Sequence, residues 1–434
     1  MEAIPHVRDQ IIERIKKSAE LGKTDITVVE VGGTVGDFQN ALYFDAARVM
    51  KLEYPDDVLF VMVSYLPIPG TLGEMKTKPT QSAVRELNSY GVQPDIIIAR
   101  SAHSLDQKRK DKLAISCSVR PEHIISAPDV DSIYDVPLNF ERDKLSDVFL
   151  EILDLEAKKP VDLSDWKDFA KRAHNGGTKV KIGIVGKYFD TGDFVLSDAY
   201  LSVIEAIKFS AYAEDAKAEI DWINAKDIQS GALPIEELGA YDGIIVPGGF
   251  GETGIEGKIR AAQYAREHAI PYFGLCYGLH MLVIEYARHV AGMEGANTTE
   301  INQDTPYPVI DILPEQRERL ARKDYGGSMR LGAYPCALSE GSVVRDAYGV
   351  AEVSERHRHR YEINPKYVQE LEEKGLVFSG RWTEGDLKEI AELPKSVHPF
   401  YVGTQFHPEL KARPLSPHPL FTAFIRAAIS RSGK

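Results

Sequence analysis

Continuous apolar runs recur along this chain, and each is followed by a stretch with helical periodicity. In the first third the runs are ITVVEV (26–31), VLFVMVSYL (58–66), DIIIA (95–99) and HIISAP (123–128). Helical patterns cover 4–22, with Ile11, Ile12 and Ile15 on one face, then 40–52, 80–90, 105–114 and 140–156. A strand that is apolar at every position, rather than at alternate ones, is expected to be buried on both faces. The alternation therefore predicts an α/β fold with a parallel sheet covered by helices.

The stretch 157–179 (AKKPVDLSDWKDFAKRAHNGGTK) is polar and charged, and it carries Pro160 and the pair Gly176-Gly177. It reads as a connection with one short helix. A second alternation comes next: strand 181–186, helix 195–213, strands 219–223 and 241–249, a helix near 254–268, strand 271–275 and helix 277–290. The remainder is rich in strand-like segments and closes with a helix over 419–430. Two α/β domains result, 1–156 and 180–434, joined by 157–179.

Composition bounds the function. The net charge of -13 argues against bulk nucleic-acid binding but leaves room for a local basic nucleotide pocket. Three cysteines, Cys117, Cys276 and Cys336, fit a reducing compartment better than a disulfide framework, so a cytoplasmic location is expected. No apolar run approaches the roughly 18 residues of a membrane span, and the first residues pattern as an amphipathic helix rather than a signal peptide.

The segment PYFGLCYGLHML (271–282) runs a buried strand directly into Cys276, with Gly274 and Gly278 on either side and a helix after it. Small neighbours relieve crowding at such a strand–nucleophile–helix turn, and a helix N-terminus favours the thiolate. The competing reading is a buried structural cysteine. In GTQFHPEL (403–410), His407 ends a strand and Glu409 lies two residues on, on the same side of an extended chain. That spacing suits a base and the carboxylate that orients it. VPGGFGETG (246–254) comes after another buried strand and offers loop amides for an oxyanion.

In this order the three pieces resemble a class I (triad-type) glutamine amidotransferase, over about 180–430. The motifs VEVGGTVGD (29–37), MKTKPTQ (75–81), KLAISCSV (112–119), DVDSIYDVP (129–137), GSMRLG (327–332) and ERHRHRYE (355–362), with IPHVRDQI near the start, are similar to those of the CTP synthase family. The resemblance implies a partial P-loop-type synthetase domain ahead of a flavodoxin-like amidotransferase domain. The implied reaction makes CTP from UTP, ATP and glutamine, with ammonia passed internally from the second domain to the first. It implies Mg²⁺ at Glu30, and UTP or CTP at Lys76, Thr77, Lys78, Pro79, Thr80, Gln81 and Lys112. Feedback CTP falls on Asp37, Phe38 and Gln39, and ATP on Pro128, Asp129 and Val130. Glutamine falls on Gly249, Tyr277, His280, Glu300 and Arg360. GTP activation and a homotetramer are further family expectations.

Two departures qualify the resemblance. Family members open with a glycine-rich phosphate loop and an Asp that shares Mg²⁺, whereas no GxxxxGK[ST] occurs here. The chain as written is therefore expected to retain glutaminase chemistry but not to make CTP alone. His280 stands where the family carries Gln, which predicts altered glutamine binding, and Gln39 stands where an acid is usual, which predicts weaker feedback. A free-standing amidotransferase and a non-catalytic assembly subunit are the alternative readings. The nucleotide motifs of 1–156 speak against the first, and the intact triad speaks against the second.

Overall fold

The computed structural model describes residues 2–70, 73–187, 200–312 and 329–433. The chain divides into two units, Met1–Ala170 and Lys171–Lys434. In the first, helices α1 (Arg8–Gly22) and α2 (Ala41–Glu53) precede β1 (Val61–Tyr65), α3 (Lys78–Ser89), β2 (Ile96–Ser101), α4 (Gln107–Cys117) and β3 (Ile124–Pro128). The three strands form one parallel sheet in the order β1-β2-β3. Ile96, Ile97, Ile124 and Ile125 of β2 and β3 are fully buried, as strands covered on both faces should be. Asp106 starts α4 by accepting a hydrogen bond from the Arg109 amide.

Three expectations fail in this unit. Residues 26–31 form no strand and lie exposed, with Val28 at 89%. An apolar run becomes a strand only when a neighbouring backbone takes its hydrogen bonds, and no strand of this sheet pairs with it. Glu30 is therefore not at a strand end. Second, β1 is buried on one face only: Met62 points inward while Val61, Val63 and Tyr65 are exposed, because no layer among the described residues covers that face. Third, the helix expected over 140–156 is two helices, α5 (Val136–Arg142) and α6 (Leu145–Ile152). The break falls where the Asp143 carboxylate accepts from the Ser126 amide (2.6 Å) and pairs with Lys110 (2.8 Å), and Lys144 turns left-handed at φ 56°. These ties to β3 and α4 outweigh helix continuity.

The unit boundary falls inside α7 (Ser164–Asn175). The second unit continues with β4 (Thr178–Gly186), α8 (Leu201–Ala213), β5 (Ala216–Asn224), α9 (Ala225–Ser230) and β6 (Gly243–Val246). Then come α10 (Ile255–Glu267), β7 (Tyr272–Leu275) and α11 (Tyr277–His289). The first turns expected for α8, at 195–199, lie outside the described residues. Strands β8 (Asn297–Thr298), β9 (Pro308–Ile312), β10 (Arg330–Leu338), β11 (Glu352–His359), β12 (Tyr361–Ile363), β13 (Val377–Trp382), β14 (Lys388–Glu392) and β15 (Tyr401–Thr404) precede the closing helix Pro419–Ser432.

Among the described residues nine strands form one sheet, in the order β11-β10-β13-β14-β15-β7-β6-β4-β5. The half from β15 to β5 is parallel, and the half from β15 to β11 is antiparallel. Register sets the site. Val246 of β6 pairs with Gly274 of β7, and Thr404 of β15 pairs with Leu275, so three adjacent parallel strands end level. The segments leaving these strands must emerge side by side, at the carboxyl edge where open α/β sheets hold ligands. Helix α11 is buried from Tyr277 to Ala287, and Leu279, Leu282, Val283 and Ile284 are each fully covered. Each such side chain contributes roughly 1.5–3 kcal/mol of burial, which anchors the element that carries the turn.

Candidate active site

Cys276 occupies the single residue between β7 and α11, with φ 51° and ψ −95°. A side-chain-bearing residue held there is strained by about 1–3 kcal/mol, and such strain persists only where the surroundings fix it. They do: the Cys276 amide donates to the Thr404 carbonyl (2.6 Å), and its own carbonyl accepts from Leu279 (3.1 Å). The flanking glycines are required by contact. A Cβ on Gly278 would lie 2.1 Å from the Val246 carbonyl oxygen, and one on Gly274 would lie 2.5 Å from the Gly278 carbonyl oxygen.

His407 and Glu409 arrive from β15, but not along it. The strand ends at Thr404, and His407 is the N-cap of a short 3-10 turn, Pro408–Leu410. The same-side argument for an extended chain therefore does not apply, and the turn brings the two groups together instead. The His407 Nδ1 meets Glu409 Oε1 at 2.7 Å, with Glu409 buried. The His407 amide donates to the Arg356 carbonyl (2.8 Å). Burial works against a charged ring here, yet the charges of Cys276 and then Glu409 more than offset it and push His407 up to about 11.

The glycine loop after β6 closes the third side. A Cβ on Gly248 would begin 2.9 Å from His407 Cε1 and 3.7 Å from Cys276 Cβ. Only glycine leaves room for a substrate between them. Gly251 is clamped from both directions: its amide donates to Glu300 Oε1 (3.0 Å), and its carbonyl accepts from the Tyr277 hydroxyl (3.0 Å). Burial raises the Glu300 pKa, while the Gly251 amide, Lys187 and Arg360 pull it down, so Arg360 shares the field of Glu300. Gly249, Tyr277, Glu300 and Arg360 thus gather around one loop. His280 meets the Tyr277 ring edge-on, with ring centres 6.0 Å apart. It is 2% exposed, on the inner face of α11, and its Nε2 meets Gln405 Oε1 at 3.0 Å.

Gly248 belongs to the loop singled out in the sequence, whereas Gln405 and Lys258 carry no mark in its pattern strong enough to have singled them out. Gly248 lies against the Cys276–His407 pair. Gln405 turns its side-chain amide to Cys276 Sγ at 3.8 Å, and its place two residues before His407 was the available signal. Lys258 is fully buried beneath the loop, with its Nζ 5.1 Å from the Tyr277 ring centre, and burial together with Lys187 lowers it to about 7. No pattern in the sequence marks a lysine on α10 as buried.

Behind the site lies a polar cluster. Arg330 Nη1 holds Glu389 at 2.8 Å and Glu362 at 3.3 Å, while His357 Nδ1 and His359 Nε2 hydrogen-bond at 2.8 Å. His357, His359 and Glu389 offer donor atoms within 4.8 Å of one another. Arg330 already supplies the positive charge there. Burial and the Glu389 charge raise the pKa of Glu362 more than Arg330 lowers it. Between the unfolded value, about 4.3, and this raised value, the folded chain holds the extra proton, so stability falls as pH rises. Glu362→Gln removes that dependence. The thermal midpoint of the variant relative to the parent should rise by a few degrees between about pH 5 and pH 8 in a melting series.

In the first unit, two groups of the expected nucleotide residues come after strands, whereas Lys112 lies within α4 and Asp37, Phe38 and Gln39 precede β1. Lys76–Gln81 come after β1, and Pro128, Asp129 and Val130 end and succeed β3. Lys78 begins α3, with Pro79 in its first turn. Lys76 pairs with Glu74 (2.6 Å), whose pKa is lowered chiefly by Lys76 and also by Arg109 and Lys112. Lys112 therefore belongs to the same basic neighbourhood. Thr77, Thr80 and Gln81 face inward: Gln81 donates to Thr77 (3.1 Å), and Thr80 meets Ser64 of β1 (2.8 Å). Asp129 accepts from Arg100 (3.0 Å). Asp37 precedes the turn Phe38–Asn40, and its carboxylate accepts from the Thr34 amide (2.8 Å), with Phe38 94% exposed and Gln39 exposed. Glu30 is exposed.

The family described as CTP synthase N-terminus matches residues 1–155, and the family described as glutamine amidotransferase class-I matches residues 195–427. The CTP synthase of Bacillus velezensis is 44% identical over 99% of this chain and 78% of its own length. That of Caldanaerobacter subterraneus is 45% identical over 99% of this chain and 78% of its own. Among solved structures, the glutaminase domain of the Trypanosoma brucei CTP synthase with bound acivicin is 33% identical. It covers 58% of this chain and 94% of its own, with a TM-score of 0.52.

Proposed function

We propose, from the premise that the chain belongs to the CTP synthase family, that Cys276 is the nucleophile of its glutamine-hydrolysing half-reaction, with His407 as proton carrier and Glu409 as its orienting carboxylate. The observation that carries this reading is the convergence at one sheet edge of a strained Cys276, a His407–Glu409 pair at 2.7 Å and a glycine loop. The thiolate attacks the side-chain carbonyl carbon of glutamine, and the oxygen takes up the electron pair against loop amides of 246–254. The imidazolium of His407 gives its proton to the amide nitrogen, the C–N bond breaks, and ammonia leaves a glutamyl thioester. Water, deprotonated by His407, then cleaves the thioester to glutamate and restores the thiol. Glu300 and Arg360, with opposite charges beside the loop, take the ammonium and carboxylate groups of the substrate.

The ammonia is consumed in amination of UTP to CTP, driven by ATP. Lys76, Thr77, Lys78, Pro79, Thr80, Gln81 and Lys112 form the UTP and CTP region, and a basic loop running into the N-terminus of α3 suits phosphate. Pro128, Asp129 and Val130 take the adenine end of ATP, and Asp37, Phe38 and Gln39 take feedback CTP. Glu30, an exposed carboxylate, would be one ligand of Mg²⁺, an ion that suits one or two carboxylates together with substrate phosphates and would neutralise their charge. Among the described residues no helix is long and apolar enough to cross a membrane. We assign the chain to the cytoplasm as a homotetramer, with GTP as activator.

The test is glutamate release from glutamine by the purified chain, with and without stoichiometric labelling by an electrophilic glutamine analogue. Labelling at Cys276 with loss of hydrolysis is the expected result, and hydrolysis that persists in fully labelled protein overturns the assignment. In the same assay Glu300→Gln should raise the glutamine KM by roughly 10- to 100-fold with little change in kcat, the signature of a group that binds substrate and transition state alike.

A further inference from the structure

We infer that His280 is a positioning residue for the nucleophile: it holds the side-chain amide of Gln405 so that the NH₂ group donates to Cys276 Sγ. This rests on the assignment of Cys276 above. His280, on α11, lies 2% exposed, and Gln405, just past β15, is fully buried. The contacts run in series, with His280 Nε2 to Gln405 Oε1 at 3.0 Å and Gln405 Nε2 to Cys276 Sγ at 3.8 Å. The Gln405 backbone is fixed as well, its amide donating to the Glu389 carbonyl at 2.7 Å.

The chemistry gives the chain of contacts one direction. A side-chain amide can present oxygen or nitrogen to its neighbours, and only the surrounding hydrogen bonds select between them. Oxygen facing a thiolate is repulsive, while N–H facing it is a charge-assisted bond. With nitrogen toward Cys276, the oxygen faces His280, whose Nε2 must then carry the proton. His280 meets that requirement. Burial lowers its pKa to about 4, against the upward pull of Gln405 and the Tyr361 backbone, so the ring is neutral and holds one N–H. The 3.0 Å contact from Nε2 to the amide oxygen Oε1 puts that proton on Nε2. The other titratable groups around this cluster include Tyr277, whose ring meets His280 edge-on, His407 with Glu409, and His357 and His359, whose buried rings are also held well below the ordinary histidine value.

The family resemblance assigns this position to glutamine binding, and kinetics separate the two roles. A glutamine at 280 also carries one donor and one acceptor end and is able to orient Gln405, whereas leucine is not. The experiment measures kcat and KM for glutamine together with the pH dependence of Cys276 alkylation by iodoacetamide, followed at that residue by peptide mass spectrometry. The full chain is used, with Cys276→Ala as the blank. In His280→Leu, kcat should fall roughly 10- to 100-fold, and the alkylation midpoint should rise by about one pH unit, with the glutamine KM within about threefold of the parent. His280→Gln should restore both readouts. Gln405→Met, which leaves His280 in place, should reproduce the loss and keeps the test available if His280→Leu does not fold. A rise in KM with kcat and alkylation unchanged would assign His280 to substrate binding and overturn the proposal. So would parent-like kinetics in both His280→Leu and Gln405→Met. Failure of the Cys276 assignment reads differently, as hydrolysis surviving in Cys276→Ala.

Discussion

Cys276→Ser is expected to reduce glutamine hydrolysis by roughly 10⁴-fold or more while leaving the thermal midpoint within a few degrees of the parent. The replacement keeps the size and position of the side chain and removes what the surroundings are built for. His407 is pushed up to about 11 chiefly because a charged sulfur offsets the burial of the ring. A serine hydroxyl does not ionise there, so the larger upward pull on His407 is lost, only Glu409 still favours its charged form, and the attacking anion of the first step is gone. Truncating this residue leaves the Gly248–Gly251 loop, Glu300 and Arg360 intact, so glutamine should still bind with a dissociation constant within a few-fold of the parent KM. Isothermal titration of the variant with glutamine separates loss of chemistry from loss of binding. Hydrolysis within tenfold of the parent would show that another group performs the attack.

The parts of this site that the sequence made legible are those written within a few residues of one another. PYFGLCYGLHML states the strand, the glycines and the helix in one line, and the φ of 51° at Cys276 is the strained turn which that wording demands. The pairing of His407 with Glu409 was legible for the same reason, although the 3-10 turn after Thr404, not an extended strand, makes it. Features that depend on distant partners were not legible. His280 and Gln405 are 125 residues apart, and only the register of β15 against β7 brings them together. Residues 26–31 carry the composition of a strand, but pairing is a property of the neighbouring backbone, which composition does not encode. Helix continuity through Asp143 was misjudged because its carboxylate bonds to β3 and α4. In each case a local preference was right about the side chain and silent about its partner.

Gly278→Ala is expected to destabilise the second unit by about 3 kcal/mol or more and to lower its thermal midpoint by roughly 6–12 °C. Helix propensity alone points the other way, since alanine in a helix is favoured over glycine by about 1 kcal/mol. The contact decides the sign. A methyl at position 278 would lie 2.1 Å from the Val246 carbonyl oxygen and 3.1 Å from its carbonyl carbon, and both are backbone atoms of β6, a strand paired on both sides within the sheet. Neither β6 nor the buried α11 has a solvent-facing direction in which to yield, so the helix start must lift and Cys276 must move with it. Activity per folded molecule should therefore fall along with stability, because a shift of about an ångström at the turn displaces the sulfur from His407 and the loop amides. Gly433→Ala is the matched control: its added Cβ meets only the Ile429 carbonyl oxygen at 3.9 Å, and its melting should stay within about 2 °C of the parent. If Gly278→Ala melts within that same margin, the close approach of α11 to β6 is not what holds the turn. The strain at Cys276 would then have to be carried by the Thr404 and Leu279 hydrogen bonds alone.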